Sequence, residues 1–482
     1  MTSASRARCG AVWIAAFILA TSISAQDGRV ALAARIKKLV DTATTSKMQV
    51  GVAYGEPGAV PSLLHGDIGG MVPASNQKVL TSIAAVTRLG LKHEFLTRII
   101  AEGPVAQGVL KGSLRVIGDG DPSFGLRDHG ETLAGFRIIA ERLRGLGVHQ
   151  IDGDLLVDDS AFDQDFTGPD WPKALPTTSY LAGVAALSID EGLSRIVLTP
   201  SKDGGPPKVG AVPDVGTVKF LQVNLRVVSK RQDAGVTFDR AIGTNDITVK
   251  GGIFGAAPQI HEVAVHDPTL HFGRCMLLAL KQEGITVSGS VRRPSLGGRS
   301  GGTELLTIAT PLERVLPAML KESQNHRAEM VFKHLGSALG SGGTFVGGGH
   351  AVRMSLLALG VNLDKCSIMD GSGLSRSNRV TVRALWESLS AVASRPEFSA
   401  YRDMLAEPGE DGTLKRRLPA LKNKLAAKTG TLNGVKALSG YVLNRDNKWI
   451  PFAVLCNGPE ADNKGGSLQD DIVQAIAGAS GS

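Results

Sequence analysis

Ser75 and Lys78 lie three positions apart in the stretch PASNQKVLTSIAAVTRLG, whose apolar residues recur with helical spacing. On a helix, side chains three positions apart are neighbours. A serine hydroxyl attacks a carbonyl efficiently when a base takes its proton, and lysine is such a base if burial or a nearby cation lowers its pKa. The pair therefore indicates covalent acyl-transfer chemistry. The structural alternative is a helix-capping serine beside a solvated lysine.

Ser323 and Asn325 open a second predicted helix, which runs to Leu339. In a catalytic interpretation the serine relays a proton and the asparagine binds a substrate amide. The alternative is that Ser323 only caps the helix, because serine is common at helix starts.

Lys428, Thr429, Gly430 and Thr431 follow one another at the end of a predicted strand, before an Asn-Gly turn. Gly430 would let another backbone approach closely, and a cation with two hydroxyls suits a carboxylate ligand. The alternative is an edge strand protected by a lysine. The order Ser-Lys, Ser-Asn, Lys-Thr-Gly is typical of penicillin-binding proteins and class A β-lactamases, so the three stretches together predict an active-site serine acyl-transfer enzyme.

The elements that must position these residues follow from hydrophobic periodicity. Helices are predicted over residues 27–44, from Ser75 to a stop at Gly90, and over Asp470–Ala477, and a strand over Met48–Tyr54. Near the end of the chain, successive strands with short links predict an antiparallel sheet. These strands are Lys424–Thr429, Val435–Leu443 and Trp449–Cys456.

Between the Ser75–Lys78 stretch and the Ser323–Asn325 stretch, the sequence pattern changes to short apolar runs separated by turns rich in Gly, Asp and Pro. We therefore predict a mainly β insert over residues 97–262, within a more helical host formed by residues 26–96 and 263–482. Residues 293–305 are predicted to form a flexible loop.

The composition fits a folded, multidomain protein. The chain has 482 residues, 43% of them hydrophobic and 20% charged, which suggests two or three domains. The net charge of +8 is mild for this length, and no Lys/Arg block with interleaved aromatics appears, so a nucleic-acid partner is not indicated. Contact with an anionic envelope polymer and an ordinary solvated surface both fit this charge.

The N-terminus resembles a secretory signal peptide over residues 1–25. Arg6 and Arg8 precede the apolar run AVWIAAFILA, and small residues lead to a predicted cleavage near Ala25. The run is shorter than the ~20 residues that span a bilayer, and no later stretch reads as a span. We therefore expect secretion across the inner membrane to the periplasm or cell envelope, with no stable membrane span after cleavage.

Cysteine and metal signals are weak. Cleavage near Ala25 would remove Cys9 and leave three of the four cysteines, Cys275, Cys366 and Cys456. An odd number leaves one pair plus a free thiol, or free thiols throughout. We expect neither a metal nor a cofactor. Five aspartates that resemble calcium ligands lack the twelve-residue loop spacing and are better explained by turns; they are Asp119, Asp121, Asp154, Asp158 and Asp159. A G-x-S-x-G match at 298–302 lies in a polar loop, without the strand and helix that a nucleophile elbow needs.

Beyond the three stretches, the sequence resembles the class C low-molecular-mass penicillin-binding proteins, the D-alanyl-D-alanine carboxypeptidase/endopeptidase group. The resemblance covers nearly all of the chain after residue 25 and includes GDGDPSFG, IDGDLLVDDSAFD, HDPTLHFG, DGSGLSR, DGTLKRR and AAKTGTLNGV. It implies an α/β (α+β) fold: a penicillin-binding/β-lactamase-like domain whose antiparallel sheet is flanked by helices. It also implies that the insert divides into two small domains, the inner one near residues 186–250.

The resemblance implies catalytic roles for four residues. Ser75 would attack the carbonyl of the penultimate D-Ala, with Lys78 as general base. Ser323, assisted by Lys428, would pass the proton to the leaving D-Ala.

Four further residues would bind the substrate. Asn325 would hold the acyl-side amide, and Thr429 and Thr431 the terminal carboxylate, beside Gly430. The expected partners are peptidoglycan stem peptides, with β-lactams as covalent inhibitors.

Two alternatives remain at this point: a β-lactamase, and a non-catalytic wall-binding protein on the same fold. The stretch between Ser75 and Ser323 is much longer than in class A β-lactamases, and no motif residue is missing.

Overall fold

The computed structural model describes residues 28–45, 47–201, 205–295 and 301–480, so the predicted signal peptide and residues 298–300 of the G-x-S-x-G match lie outside the described residues. The strands in the described ranges are β1 Gln49–Tyr54, β2 Leu63–His65, β3 Glu94–Glu102, β4 Val105–Ala106, β5 Val109–Leu110, β6 Ser113–Gly118, β7 Gln150–Ile151, β8 Leu155–Asp158, β9 Leu193–Thr199, β10 Lys208–Val212, β11 Lys219–Val228, β12 Gly235–Arg240, β13 Asp246–Phe254, β14 Gln259–Ala264, β15 Thr286–Val287, β16 Val291–Arg292, β17 Thr303–Pro311, β18 Leu425–Leu432, β19 Val435–Leu443 and β20 Trp449–Asn457.

The α-helices in the same ranges are α1 28–43, α2 Gln77–Leu89, α3 Leu126–His129, α4 Ala134–Gly145, α5 Pro268–Gln282, α6 Leu312–Lys321, α7 Asn325–Ala338, α8 Phe345–Ala358, α9 Val382–Ala393, α10 Phe398–Asp403 and α11 Gly466–Ala477.

A five-stranded antiparallel sheet in the order β18-β19-β20-β1-β2 forms the centre of the host domain. Its apolar side chains divide between two cores, one shared with α1 and α11 and the other with α2 and α9. The sheet is therefore flanked by helices on both faces, and the predicted fold class is confirmed. Strand β18 continues to Leu432, beyond the predicted end at Thr429, because it pairs with β19 as far as the turn.

Helix α2 lies deep in the host domain. Its predicted apolar stripe is buried, but so are its polar residues from Gln77 to Ser82. Buried polar groups need partners inside the protein; Ser82, for example, lies 2.9 Å from the hydroxyl of Tyr401. A lysine on this helix is consequently held out of water.

A second sheet, in the order β16-β8-β6-β3-β17, forms the outer part of the insert. Helices α4 and α5 pack on it, and Phe136 and Phe272 meet edge to face there. Strand β17 pairs with β3, so residues 303–305 are not loop, contrary to the prediction for 293–305. Because residues up to Pro311 belong to this sheet, we propose to move the downstream boundary of the insert from residue 262 to the end of β17.

The inner part of the insert consists of two three-stranded sheets, β10-β9-β14 and β11-β13-β12. Their facing side chains share one small core that includes Ile196, Leu225, Val249 and Val263. An inner domain from β9 to β14 is thus our proposal for the subdivision of the insert.

Helix α7 connects the host to the insert through two ion pairs. From it, Arg327 forms an ion pair with Asp128 of α3, and Lys333 Nζ lies 2.6 Å from Asp163 Oδ1. Both cations are almost wholly buried. The same helix therefore carries the second motif and anchors the insert.

Candidate active site

Ser75 lies in a single 3₁₀ turn, Ala74–Asn76, that leads into α2. The helix itself begins at Gln77, slightly later than predicted, but Lys78 still lies in its first turn. Asn76 fixes this turn to the central sheet: its Nδ2 donates to Lys428 O at 3.1 Å, and its Oδ1 accepts from Ser439 Oγ. The nucleophile candidate is thus attached to the strand that carries the third motif.

Lys78 Nζ lies within hydrogen-bonding distance of three oxygen atoms. These are Asn325 Oδ1 at 2.7 Å, Ser372 O at 2.9 Å and Ser75 Oγ at 3.1 Å. Asn325 Nδ2 donates to Tyr180 O at 3.2 Å, which agrees with Asn325 Oδ1 being the atom that faces the lysine. The structure therefore brings Ser75, Lys78 and Asn325 together.

The pKa of Lys78 falls from 10.5 to about 7. Burial is the main cause, since the ammonium form loses its hydration. The negative charges of Glu329 and Asp370 act in the opposite direction and limit the fall. A substantial fraction of Lys78 can therefore be a neutral amine near neutral pH.

Ser323 lies just before α7 in the left-handed region, at φ 64°. The sequence predicts a helix that begins at this serine, but Gln324 occupies the N-cap position and α7 begins at Asn325. The structural alternative, a serine that merely caps the helix, is therefore wrong. A left-handed conformation is costly for a residue with a side chain, and such residues are concentrated at functional sites.

The third motif lies on β18 with alternating exposure. Lys428 is fully buried and Gly430 is buried, whereas Thr429 is half-buried and Thr431 is exposed. A Cβ at Gly430 would lie 3.0 Å from Pro73 O and 3.1 Å from Asn76 Nδ2, so the glycine lets the turn of Ser75 pack against the strand.

The buried Nζ of Lys428 donates to Thr429 O at 2.7 Å. Its pKa lies well below 10.5, first because of burial and then because of the nearby Lys78 charge. The hydroxyl of Thr429 bonds that of Thr413 at 2.7 Å.

Glu329, the 370–375 loop and Thr413 also lie at the site, although none of them belongs to the three motifs. Their signals were present: DGSGLSR covers the loop, and DGTLKRR contains Thr413. Glu329 stands one helical turn after Asn325, on the same face of α7.

The remaining candidates have other surroundings. Cys275, Cys366 and Cys456 are free thiols. The five aspartates that resemble calcium ligands accept hydrogen bonds from protein groups such as Leu96 N, Ser123 N, Ser160 N, Thr269 Oγ1 and Ser290 N. Among the described residues, none of the helices combines the length and the apolarity that crossing a bilayer requires.

Solved structures with this architecture define the class of protein. The crystal structure of penicillin binding protein 4 from Haemophilus influenzae matches with a TM-score of 0.78 and 25% identity, covering 92% of this chain and 99% of that one. A second structure of that protein, complexed with a β-lactam, matches with a TM-score of 0.73 and 24% identity, covering 91% and 97%. The fold is that of a penicillin-binding protein.

The model of the D-Ala-D-Ala carboxypeptidase 3 (S13) family matches residues 62–478, and the chain belongs to this family. The D-alanyl-D-alanine carboxypeptidase of Actinomadura sp. (strain R39) is 32% identical over 408 residues, which cover 80% of this chain and 73% of the relative. The resemblance to class C low-molecular-mass penicillin-binding proteins is thereby confirmed, as is the predicted class of enzyme, a serine-type D-Ala-D-Ala carboxypeptidase. A β-lactamase and a non-catalytic wall-binding protein are not favoured.

Proposed function

We propose that Ser75 forms an acyl-enzyme with peptidoglycan stem peptides. Ser75 Oγ attacks the carbonyl carbon of the penultimate D-Ala while its proton moves to the neutral amine of Lys78. The C–N bond to the terminal D-Ala then breaks as Ser323, assisted by Lys428, gives its proton to the leaving amine. Ser323 regains a proton from Lys78, which thereby returns to the neutral amine. Water hydrolyses the ester and releases the shortened peptide, which restores the Ser75 hydroxyl.

The contact between Lys78 Nζ and Ser75 Oγ carries this proposal. A general base must lie within hydrogen-bonding reach of the proton that it takes, and its pKa should lie near the working pH. Lys78 meets both conditions, because α2 buries the amine beside the hydroxyl.

The substrate would lie along β18. Thr431 is exposed on this strand, and Thr429 presents a half-buried hydroxyl beside it. Thr429 and Thr431 bind the terminal carboxylate beside Gly430, while Asn325 holds the acyl-side amide. β-Lactams acylate Ser75 in the same way, and the complex of the Haemophilus influenzae protein with a β-lactam supports this.

The protein would act in the periplasm or cell envelope. The N-terminal pattern of Arg6, Arg8 and the apolar run that follows supports export, with cleavage near Ala25. Cross-linked peptidoglycan in that compartment also offers the same D-Ala amide to an endopeptidase reaction, which we include in the proposal.

Incubation of the purified protein with muropeptides tests the reaction. Loss of terminal D-Ala, and cleavage of cross-linked dimers, are expected for the native chain and not for Ser75→Ala. A fluorescent penicillin should label the native protein, and labelling that persists in Ser75→Ala would show that another residue is the nucleophile. Release of benzylpenicilloate within seconds after a pulse would instead identify a β-lactamase.

A further inference from the structure

The oxygen atoms around Lys78 differ in what they can do. Ser372 O is a backbone carbonyl and Asn325 Oδ1 an amide oxygen, so both accept hydrogen bonds and neither donates. A neutral amine has two N–H groups and one lone pair. When those two N–H groups serve the two carbonyl-type oxygens, the lone pair is left facing Ser75 Oγ, the one neighbour with a proton to give.

The carbonyl of Ser372 belongs to a loop that is fixed from two helices. Glu329 of α7 accepts from Gly371 N at 2.7 Å through Oε2 and from Ser372 N at 2.8 Å through Oε1. Thr81 of α2 donates to Gly371 O at 2.9 Å. Lys78 and Thr81 lie three positions apart, so one face of α2 both holds the amine and fixes the loop that orients it.

The rest of the loop has its own support. Asp370 accepts from Gly373 N at 2.8 Å and Ser375 N at 2.6 Å, and Trp171 of the insert donates to its Oδ2 at 3.0 Å. Gly373 packs on Ala74 O, next to the nucleophile. The loop thus contacts Lys78 and the residue that precedes Ser75.

We propose that Glu329 is a positioning residue for Lys78: by holding the Gly371–Ser372 backbone it directs the lysine lone pair at Ser75. This rests on the proposed function of Ser75 and Lys78 and assigns to one buried carboxylate a role in their reaction. The side chain of Glu329 is fully buried, and both of its oxygens accept hydrogen bonds from the loop.

Glu329 also acts on Lys78 through its charge. The charged groups that face Lys78 are Glu329 from α7, Asp370 from the loop and Lys428 from β18. Lys333, also on α7, is a further cation near Glu329. Burial, and then the negative charge of Asp370, raise the pKa of Glu329 to about 8, so Glu329 and Lys78 titrate as a pair. In its ionised form the Glu329 carboxylate raises the pKa of Lys78, so loss of that carboxylate lowers the pKa of Lys78 further.

The test is the rate of acylation by benzylpenicillin as a function of pH, in the native chain and in Glu329→Gln. The glutamine has one acceptor oxygen for the two backbone N–H groups that Glu329 binds. Its side-chain NH₂ group, which is a donor, would face the second backbone N–H. We expect a fall in the acylation rate constant of about 10- to 100-fold, the scale of a small misplacement of a reacting group. The affinity of the non-covalent penicillin complex should be unchanged, and the acidic limb of the profile should move to lower pH.

Asp121→Asn is the matched control, because Asp121 is another buried carboxylate that accepts one backbone N–H and one hydroxyl, from Ser123 and Thr310. It should lose stability without moving the pH profile. Thr81→Val loosens the same loop without removing a charge, and should slow acylation while leaving the acidic limb in place. It serves if Glu329→Gln does not fold.

The outcomes separate the two proposals. A native chain that penicillin does not acylate overturns the function of Ser75 and the role of Glu329 with it. Normal acylation of the native chain, together with an unchanged rate and pH profile in Glu329→Gln, overturns the role of Glu329 alone. If Glu329→Gln does not fold, an unchanged acylation rate in Thr81→Val has the same meaning.

Discussion

The side-chain amide of Asn76 joins the turn of the nucleophile to the backbone of Lys428, with Nδ2 donating to the lysine carbonyl at 3.1 Å. The same amide accepts from Ser439, the residue paired with Lys428 across the sheet. One buried residue therefore sets the distance between Ser75 and the third motif.

Replacement of Asn76 by alanine should reduce both stability and acylation. The variant leaves Lys428 O and Ser439 Oγ without this buried partner, which costs about 1–3 kcal/mol for each unsatisfied group. Thermal unfolding and the penicillin acylation rate measure the two effects. Ser82→Ala, which breaks a buried hydrogen bond between α2 and Tyr401 of α10, should cost stability while the acylation rate stays native.

Acylation of the native protein should rise with pH through about 7. The pKa of Lys78 is lowered to about 7, so the ammonium form, which cannot take the serine proton, prevails below that value and the free amine above it. Stopped-flow acylation between pH 5.5 and 9, with a check that the fold is intact at each pH, gives the midpoint. A rate already at its plateau at the acidic end would show that another group is the base.

Gly373→Ala should disable the site. Gly373 has φ 87°, and an added Cβ would lie 1.8 Å from Ala74 O, so the loop or the turn of Ser75 must move. The penicillin acylation rate reports this movement. Gly360→Ala is matched, because Gly360 also has a left-handed φ, 81°, and its added Cβ meets nothing within 4 Å. That variant should lose about 1–2 kcal/mol of stability and acylate normally; an equal loss of acylation in both variants would contradict a specific effect of Gly373.

Thiol titration should distinguish the three cysteines. Cys275 and Cys456 are buried, and burial raises the pKa of both thiols, that of Cys456 to about 12. Cys366 is partly exposed, although burial raises its pKa as well. In the folded protein, a disulfide-exchange reagent should therefore react slowly, and with Cys366. In denaturant it should react with all three thiols. Failure to release three thiols on unfolding without reductant would indicate a disulfide.

The host fold and the Ser75–Lys78 pair were predictable because their signals are local. Apolar periodicity marks α2 and the strands from β18 to β20, and a three-residue spacing places Lys78 beside Ser75. The chemistry of the pair needs no long-range information.

The support of Lys78 was only partly predictable. The spacing of Glu329 from Asn325 and the stretch DGSGLSR mark the residues, but not that they meet around Lys78. Ser372 O and Glu329 reach the site from distant parts of the sequence, and a backbone carbonyl has no residue type that would reveal it. The left-handed φ of Ser323 also has no spacing signature. The pairing of β17 with β3 is equally non-local, since some two hundred residues separate the two strands. The change in composition that predicts the insert carries no information about this pairing.

The insert is not a module that protein engineers could excise to obtain a minimal enzyme. Its Asp128 and Asp163 neutralise Arg327 and Lys333 on α7, and its Tyr180 carbonyl accepts from Asn325. Truncation would remove the carboxylate partners of two buried ion pairs, and loss of one partner of such a pair is strongly destabilising. Substitutions in the insert should therefore change the turnover rate of the enzyme, although they lie outside the central sheet.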